Sequence, residues 1–231
     1  INKGTIQNCE NGGSITYKGG YTEQHIYIGG LAGQNGRTIR DSRNSGIISV
    51  ESVIASANKA LNLLVGGIAG STVPKGSRVI IIYRCENKAP ITIKSDVPRI
   101  YAGGIVGYSG RAGIRYCTNS GGVSATGSKG NPEAKYYTNV GGITGQSGQH
   151  IQCSDNFGRI HIDGSHISYA GGICGSLNAV RNIVGCSNYG EVISTCATAS
   201  NFAGIIGASG DGVHLCNCNN YGAVSYKGST A

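Results

Sequence analysis

The chain has 231 residues with 40 glycines, nine cysteines, no methionine and no tryptophan, and a formal net charge of +8. Glycine runs at about two and a half times ordinary usage, while isoleucine, valine, threonine, serine and tyrosine dominate the remainder, as on a pleated surface. No apolar run approaches the eighteen or so residues of a membrane helix, and no run of basic residues interleaved with aromatics appears, so no nucleic-acid partner is expected.

In chain order, one short phrase recurs six times: YIGGLAG from Tyr27, LVGGIAG from Leu64, YAGGIVG from Tyr101, NVGGITG from Asn139, YAGGICG from Tyr169 and FAGIIG from Phe202. Units therefore begin near residues 27, 64, 101, 139, 169 and 202, with a partial unit over 1–26, at spacings of 30 to 38 residues. Such a period is that of stacked supersecondary units. Between the phrases lies a second cluster, Cys-x-Asn-x-Gly, at Cys9, Cys117, Cys186 and Cys218 and, with alanine for the glycine, as CENKA at Cys85, with SRNSG at Ser42 and a one-residue-longer CSDNFG at Cys153 as variants. An apolar residue stands three places before it in six of the seven: Ile6, Ile39, Ile82, Ile114, Ile183 and Leu215. A short alternating stretch follows each cluster, as in ITI from Ile91 and RIHI from Arg159.

Apolar runs broken every few residues by glycine or asparagine do not sustain a helical period. The exception is Ser52–Leu64, which reads as a helix of two or three turns inserted in one unit. The whole predicts an all-β fold: a single repeat domain over 1–231 built as a parallel β-solenoid of about six to seven coils, three short strands per coil, with variable loops on one edge. Coils would stack about 4.8 Å apart, and stacking supplies the continuous core that no coil has alone. Like residues then form ladders. The asparagines Asn11, Asn44, Asn87, Asn119, Asn156, Asn188 and Asn220 are the expected structural ladder, since stacked amides can hydrogen-bond along the axis.

Six of the nine cysteines fall on the cluster position, which Ser42 also occupies, so they read as a column of small buried groups rather than a disulfide framework. Cys174 replaces Ala, Val, Thr or Ile of other units and reads as core; Cys196 and Cys216 stand outside the pattern, Cys196 as a thiol able to meet another exposed one. Neither CxxC pairs nor histidines at ligand spacing are present, so no metal or other cofactor is expected. The acids are spread singly along the units, with Glu10 and Glu86 in one slot and Arg43 between them, which reads as charge alternation on a solvated edge. No glycine phrase is followed by a helix or by a Lys-Ser/Thr pair, so none reads as a phosphate loop. The chain reads as non-enzymatic, with a carbohydrate-binding or carbohydrate-cleaving β-helix as the alternative.

Residues 1–115 hold fourteen Lys/Arg against six Asp/Glu, and residues 116–231 five of each. Arg37, Arg78, Arg111 and Arg181 recur in the turn leading to the second strand and form a candidate ridge for an anionic ligand. Tyr27, Tyr101, Tyr169 and Phe202 share the place two before the first glycine of their phrases and read as a packing column. The phrase looks apolar on both faces, with Ile28, Val65, Ala102, Val140, Ala170 and Ala203 on one side and the Leu/Ile column on the other, so a covering loop or partner is expected outside it.

Gly30-Leu31-Ala32-Gly33, followed through Gly36 and Ile39 to Asn44 and Gly46, resembles the GLUG repeat; the other copies have isoleucine for leucine, as at Gly67-Ile68 and Gly104-Ile105. The resemblance implies a β-solenoid in a secreted or cell-surface bacterial protein, adhesin-like in role. It transfers no ligand and no catalytic residue. It points to a glycan or another surface protein as partner, besides the rest of a parent chain of which this sequence reads as a segment.

Overall fold

The computed structural model describes residues 1–20, 24–52, 61–73, 80–127, 137–163, 167–178, 181–196 and 200–228. They form 33 strands and no helix. All inter-strand pairings among them are parallel, and each strand pairs with its counterparts in the preceding and following coils. The chain is a β-solenoid of six coils, preceded by a partial coil. Coils open with Ile26–Gly29, Asn62–Gly66, Arg99–Gly103, Tyr137–Gly141, Ile167–Gly171 and Ser200–Ala203.

A coil contains five strands rather than the three expected. In the third they are Arg99–Gly103, Val106–Ser109, Ala112–Arg115, Thr118–Asn119 and Val123–Thr126. The glycine phrase is cut in two at its Gly-Gly corner, and the x-Asn of the cluster forms a strand of its own. Five sheets result: six-stranded for the two phrase strands, seven-stranded for the other three. Of the expected helix over Ser52–Leu64, residues 53–60 lie outside the described residues; Ser52 ends one strand, and Asn62–Leu64 open another.

The interior is divided. One core lies between the first and fifth strands, with Val65, Ile91, Ile93, Ile100, Val123 and Ile160 among its members. The other lies between the second and third strands and holds Ile68, Ile82, Ile105, Ile114, Ile143 and Ile183. This division replaces the doubly apolar outer face expected for the phrase. The Gly-Gly corner turns the chain between the two apolar columns, so both point inward, into different cores, and among the described residues the phrase leaves no apolar outer sheet to be covered.

At the waist between the cores stands the asparagine ladder. Asn11 donates through Nδ2 to Asn44 Oδ1 (2.8 Å), Asn44 to Asn87 (2.8 Å), Asn87 to Asn119 (2.8 Å), Asn119 to Asn156 (2.8 Å), Asn156 to Asn188 (2.7 Å) and Asn188 to Asn220 (2.7 Å). The second N–H of each amide reaches a carbonyl two residues on, as from Asn119 to Gly121 (2.8 Å). The five central asparagines are wholly buried, and such groups are tolerated inside only when paired. Facing them is the second glycine of the phrase. A Cβ on Gly104 would lie 2.2 Å from Asn119 Cγ and 2.2 Å from Gly142 O. Glycine and asparagine thus meet across the waist of each coil, which is why the two motifs keep company in the sequence.

The cluster column needs one correction. Gln152 pairs with Val184 and Asp155 with Ser187, so Ser154, not Cys153, stands in register with Cys186. The inward column is Cys9, Ser42, Cys85, Cys117, Ser154, Cys186 and Cys218, and Ile151 supplies the apolar partner three places before Ser154. Cys153 instead takes a corner with φ 47°, in line with Asn8, Asp41, Arg84, Tyr116, Gly185 and Asn217, all at positive φ. Only one of these left-handed positions carries the glycine that suits it best.

All nine thiols are free. Cys196 is buried in the first core, its Sγ 3.4 Å from Ser168 Oγ, and is not the exposed thiol expected. Burial pushes the Cys174 and Cys186 thiols up to about 12. We therefore expect a thiol reagent at neutral pH to modify exposed Cys9, Cys153 and Cys216 quickly, and the buried thiols only in denaturant, as peptide mapping would show. The raised values stabilise the fold below about pH 9, and that stability is lost as pH rises toward 12, because only the unfolded chain can shed these protons. Between pH 8 and 11 this is worth roughly 2–3 kcal/mol for Cys174. Denaturation of Cys174→Ala should show correspondingly less alkaline loss than wild type; Ala69 fills the same register column in an earlier coil.

Candidate functional site

Outward-facing columns of the two phrase strands face one another across the Gly-Gly corner. From the first strand come Tyr27, Leu64, Tyr101, Asn139, Tyr169 and Asn201, in register from coil to coil. From the second come Gln34, Ser71, Tyr108, Gln146, Ser176 and Ala208. The corner is sharp because the last glycine of the phrase lies against the first strand: a Cβ on Gly107 would meet Val65 N at 2.6 Å and Tyr101 O at 2.8 Å. The result is a longitudinal groove.

The groove deepens over the third to sixth coils into a cavity of about 430 Å³, lined by Arg99, Tyr101, Tyr137, Asn139, Gln146, Tyr169, Ser176 and Asn178 among others. In the third coil Tyr101 and Tyr108 touch across it, ring centroids 5.7 Å apart. In the fourth the opposing residues are Asn139 and Gln146. Asn139 Nδ2 donates to Ser176 Oγ at 3.1 Å, while its Oδ1 is buried with no hydrogen-bond partner among the described residues. Asn139 is 3% exposed, Ser176 4% and Gln146 8%. Burial raises the pKa of the Tyr101 phenol, as it does for Tyr27, so both are neutral hydrogen-bonding groups at physiological pH.

Phe202 does not belong to the tyrosine column. It pairs with Ala170, and Asn201 with Tyr169, so Phe202 packs against the first core while Asn201 faces out. With one glycine fewer in the last phrase, counting back from the glycine misplaces the frame by one residue. It is Phe202, and not Ala203, that continues the inward column of Ile28, Val65, Ala102, Val140 and Ala170.

The arginines fall at another corner, where the second strand turns into the third. Arg37 lies two residues after Asn35, Arg111 two after Ser109, and Arg181 four after Leu177, all three anchor residues belonging to one register column. They occupy alternate coils, about 10 Å apart. Arg78 lies outside the described residues. Elsewhere, charge pairs with charge. Arg43 binds Glu10 (2.7 Å) and Arg84 binds Asp41 (2.6 Å) around a second depression of about 460 Å³. Lys88 meets Glu86 (3.4 Å), and Arg159 meets Glu191 (3.5 Å). Among the described residues no three of His, Cys, Asp and Glu come together to hold a metal.

Two features went unread in the sequence. The groove residues Gln146 and Ser176 each follow the last glycine of a phrase, a position whose identity varies too much to mark it. Phe157, Tyr189 and Tyr221 stack on the corner after the asparagine ladder, centroids 4.7 and 5.0 Å apart and ring planes nearly parallel; the aromatic-Gly pairs at 157, 189 and 221 are the signal in the sequence. Their flat faces cover one another, so this stack offers mainly edges to solvent.

The class so defined is a parallel β-solenoid with a side groove. Compared with known proteins, the chain matches no family model, no curated protein and no solved structure.

Proposed function

We propose that this chain is a non-enzymatic, extracellular repeat module, a rigid stalk or binding scaffold in a bacterial surface protein. The observation that carries the reading is the unbroken stack: five parallel sheets and an asparagine ladder run coil to coil through the described residues. Repetition of one coil plan suits spacing and presentation, because each unit contacts only its neighbours and the rod extends by addition. The acids support it too. Glu10, Asp41 and Glu86 are each engaged by one Arg or Lys, and Glu191 by Arg159 and Lys227, whereas glycoside cleavage needs two carboxyl groups brought to one bond. The surface location rests on the likeness of the glycine phrase to GLUG repeats.

A carbohydrate-binding β-helix is the second reading, favoured by the groove. Surface exposure and chemistry are tested together. Antibody raised to the purified chain should label intact cells of the source bacterium, and the chain should release no reducing ends from a panel of polysaccharides. Labelling only after permeabilisation overturns the location, and release of reducing ends overturns the non-enzymatic assignment.

A further inference from the structure

We propose that the groove between the two phrase strands is a glycan-binding site, centred on Asn139 and Gln146 and flanked along the axis by Tyr101 and Tyr169. The register carries the argument. Tyr101, Asn139 and Tyr169 are partners on three successive coils, so the two tyrosines stand about 10 Å apart with the smaller asparagine between them. Two aromatic side chains at that separation leave room for one flat ring between them. The floor beneath is polar, and its Asn139 amide is only half satisfied, Nδ2 donating to Ser176 Oγ. Asn139 Oδ1 is buried without a partner among the described residues, an unfavourable arrangement unless a ligand donor reaches it. A sugar hydroxyl donates to that oxygen, and the Gln146 amide and the Ser176 and Asn178 side chains lie along the same wall.

The ligand class follows from what the groove offers. Backbone N–H and C=O groups of both phrase sheets are already engaged by the neighbouring coils, so an extended peptide finds no edge to join. Recognition must pass through side chains, and these are phenols, amides and serine hydroxyls, with Arg99 the one charged group lining the cavity among the described residues. That set matches a polyhydroxylated ring with apolar faces, and Arg99 can pair with a uronate carboxylate. The cavity, about 430 Å³, falls within the size range of small-ligand sites, roughly 300–1,000 Å³. The coil spacing is also comparable to the advance per sugar of an extended glycan, so a chain lying along the groove would meet successive coils in step.

The inference deepens the binding-scaffold reading and rests on it. The test uses the purified chain on an array of neutral and uronate-containing oligosaccharides, with affinities of the retained glycan measured by calorimetry. The solenoid supplies its own conservative variants. Tyr101→Leu introduces the residue type of Leu64, Tyr169→Asn that of Asn201, and Asn139→Leu that of Leu64 again, each within one register column. Gln146→Ser, which borrows the residue type of Ser176 in the next coil, serves if Asn139→Leu lowers the melting temperature. We expect at least one glycan to be retained and each groove variant to weaken it about tenfold or more. Tyr189→Ser, on the distant aromatic stack, should leave binding unchanged. Preference for uronates that disappears in Arg99→Gln identifies an acidic glycan; equal binding identifies a neutral one. Retention that survives Tyr101→Leu and Tyr169→Asn overturns the groove site while leaving an adhesive module. Absence of any glycan retention also overturns it, and with intact surface labelling leaves the stalk.

Discussion

Alanine at Gly104 is expected to lower the stability of the solenoid by about 4 kcal/mol or more, a size reserved for severe steric or polar defects. The new methyl would sit 2.2 Å from Asn119 Cγ and 2.2 Å from Gly142 O. Neither obstacle can step aside. Asn119 is held by the ladder on both sides, and Gly142 belongs to the next coil's own waist, where its Cβ position is blocked in turn by Asn156. The displacement would therefore be passed along the axis instead of being absorbed. Gly113→Ala is the matched control: its nearest obstacle, His150 O, is 4.0 Å away, and stability should change by no more than about 0.5 kcal/mol. Urea denaturation followed by far-UV circular dichroism measures both. Equal, small effects from the two would show that the waist is looser than its geometry.

Replacing Asn119 by leucine tests the other half of the waist. The side chains are similar in size, so the effect isolates hydrogen bonding. Asn87 loses an acceptor, Asn156 Oδ1 loses a donor, and Gly121 O loses the same amide. With buried polar groups each costing about 1–3 kcal/mol when left unpaired, a loss of roughly 4 kcal/mol is expected. Asn220→Leu, at the exposed last rung, breaks the bond from Asn188 where water can replace it, and should cost under about 1 kcal/mol. A central-to-terminal ratio near one in the denaturation experiment would argue against a cooperative ladder. Since solenoid stability is close to a sum over nearest neighbours, the central change should also divide the unfolding transition in two.

Both predictions concern motifs that recur visibly in the sequence, and the reason they recur is translational. In a parallel stack each position lies on its own copy in the next coil, so the requirement at one level is repeated at every level and becomes a printed period. The glycine phrase, the Cys-x-Asn-x-Gly cluster and the all-β solenoid were legible for that reason. The same logic fails where a column tolerates different residues. The left-handed corner is occupied by Asn, Asp, Arg, Tyr, Cys, Gly and Asn, because it requires a backbone conformation and leaves the side chain in solvent. Cys153 imitates the cluster cysteine by its chemistry alone, whereas the spacing to Asn156 and Ile151 marks Ser154 as the residue in register.

Periodicity alone could name the ladders and the number of coils, since these depend on contacts between identical positions. It could not say which way a strand faces once a Gly-Gly corner has turned the chain. That turn divides the interior into two cores, sends both apolar columns of the phrase inward and brings Tyr101, Asn139, Gln146 and Ser176 together from two different strands. The relation between those residues lies across the coil, where no repeat operates, and only the folded cross-section brings them to one groove.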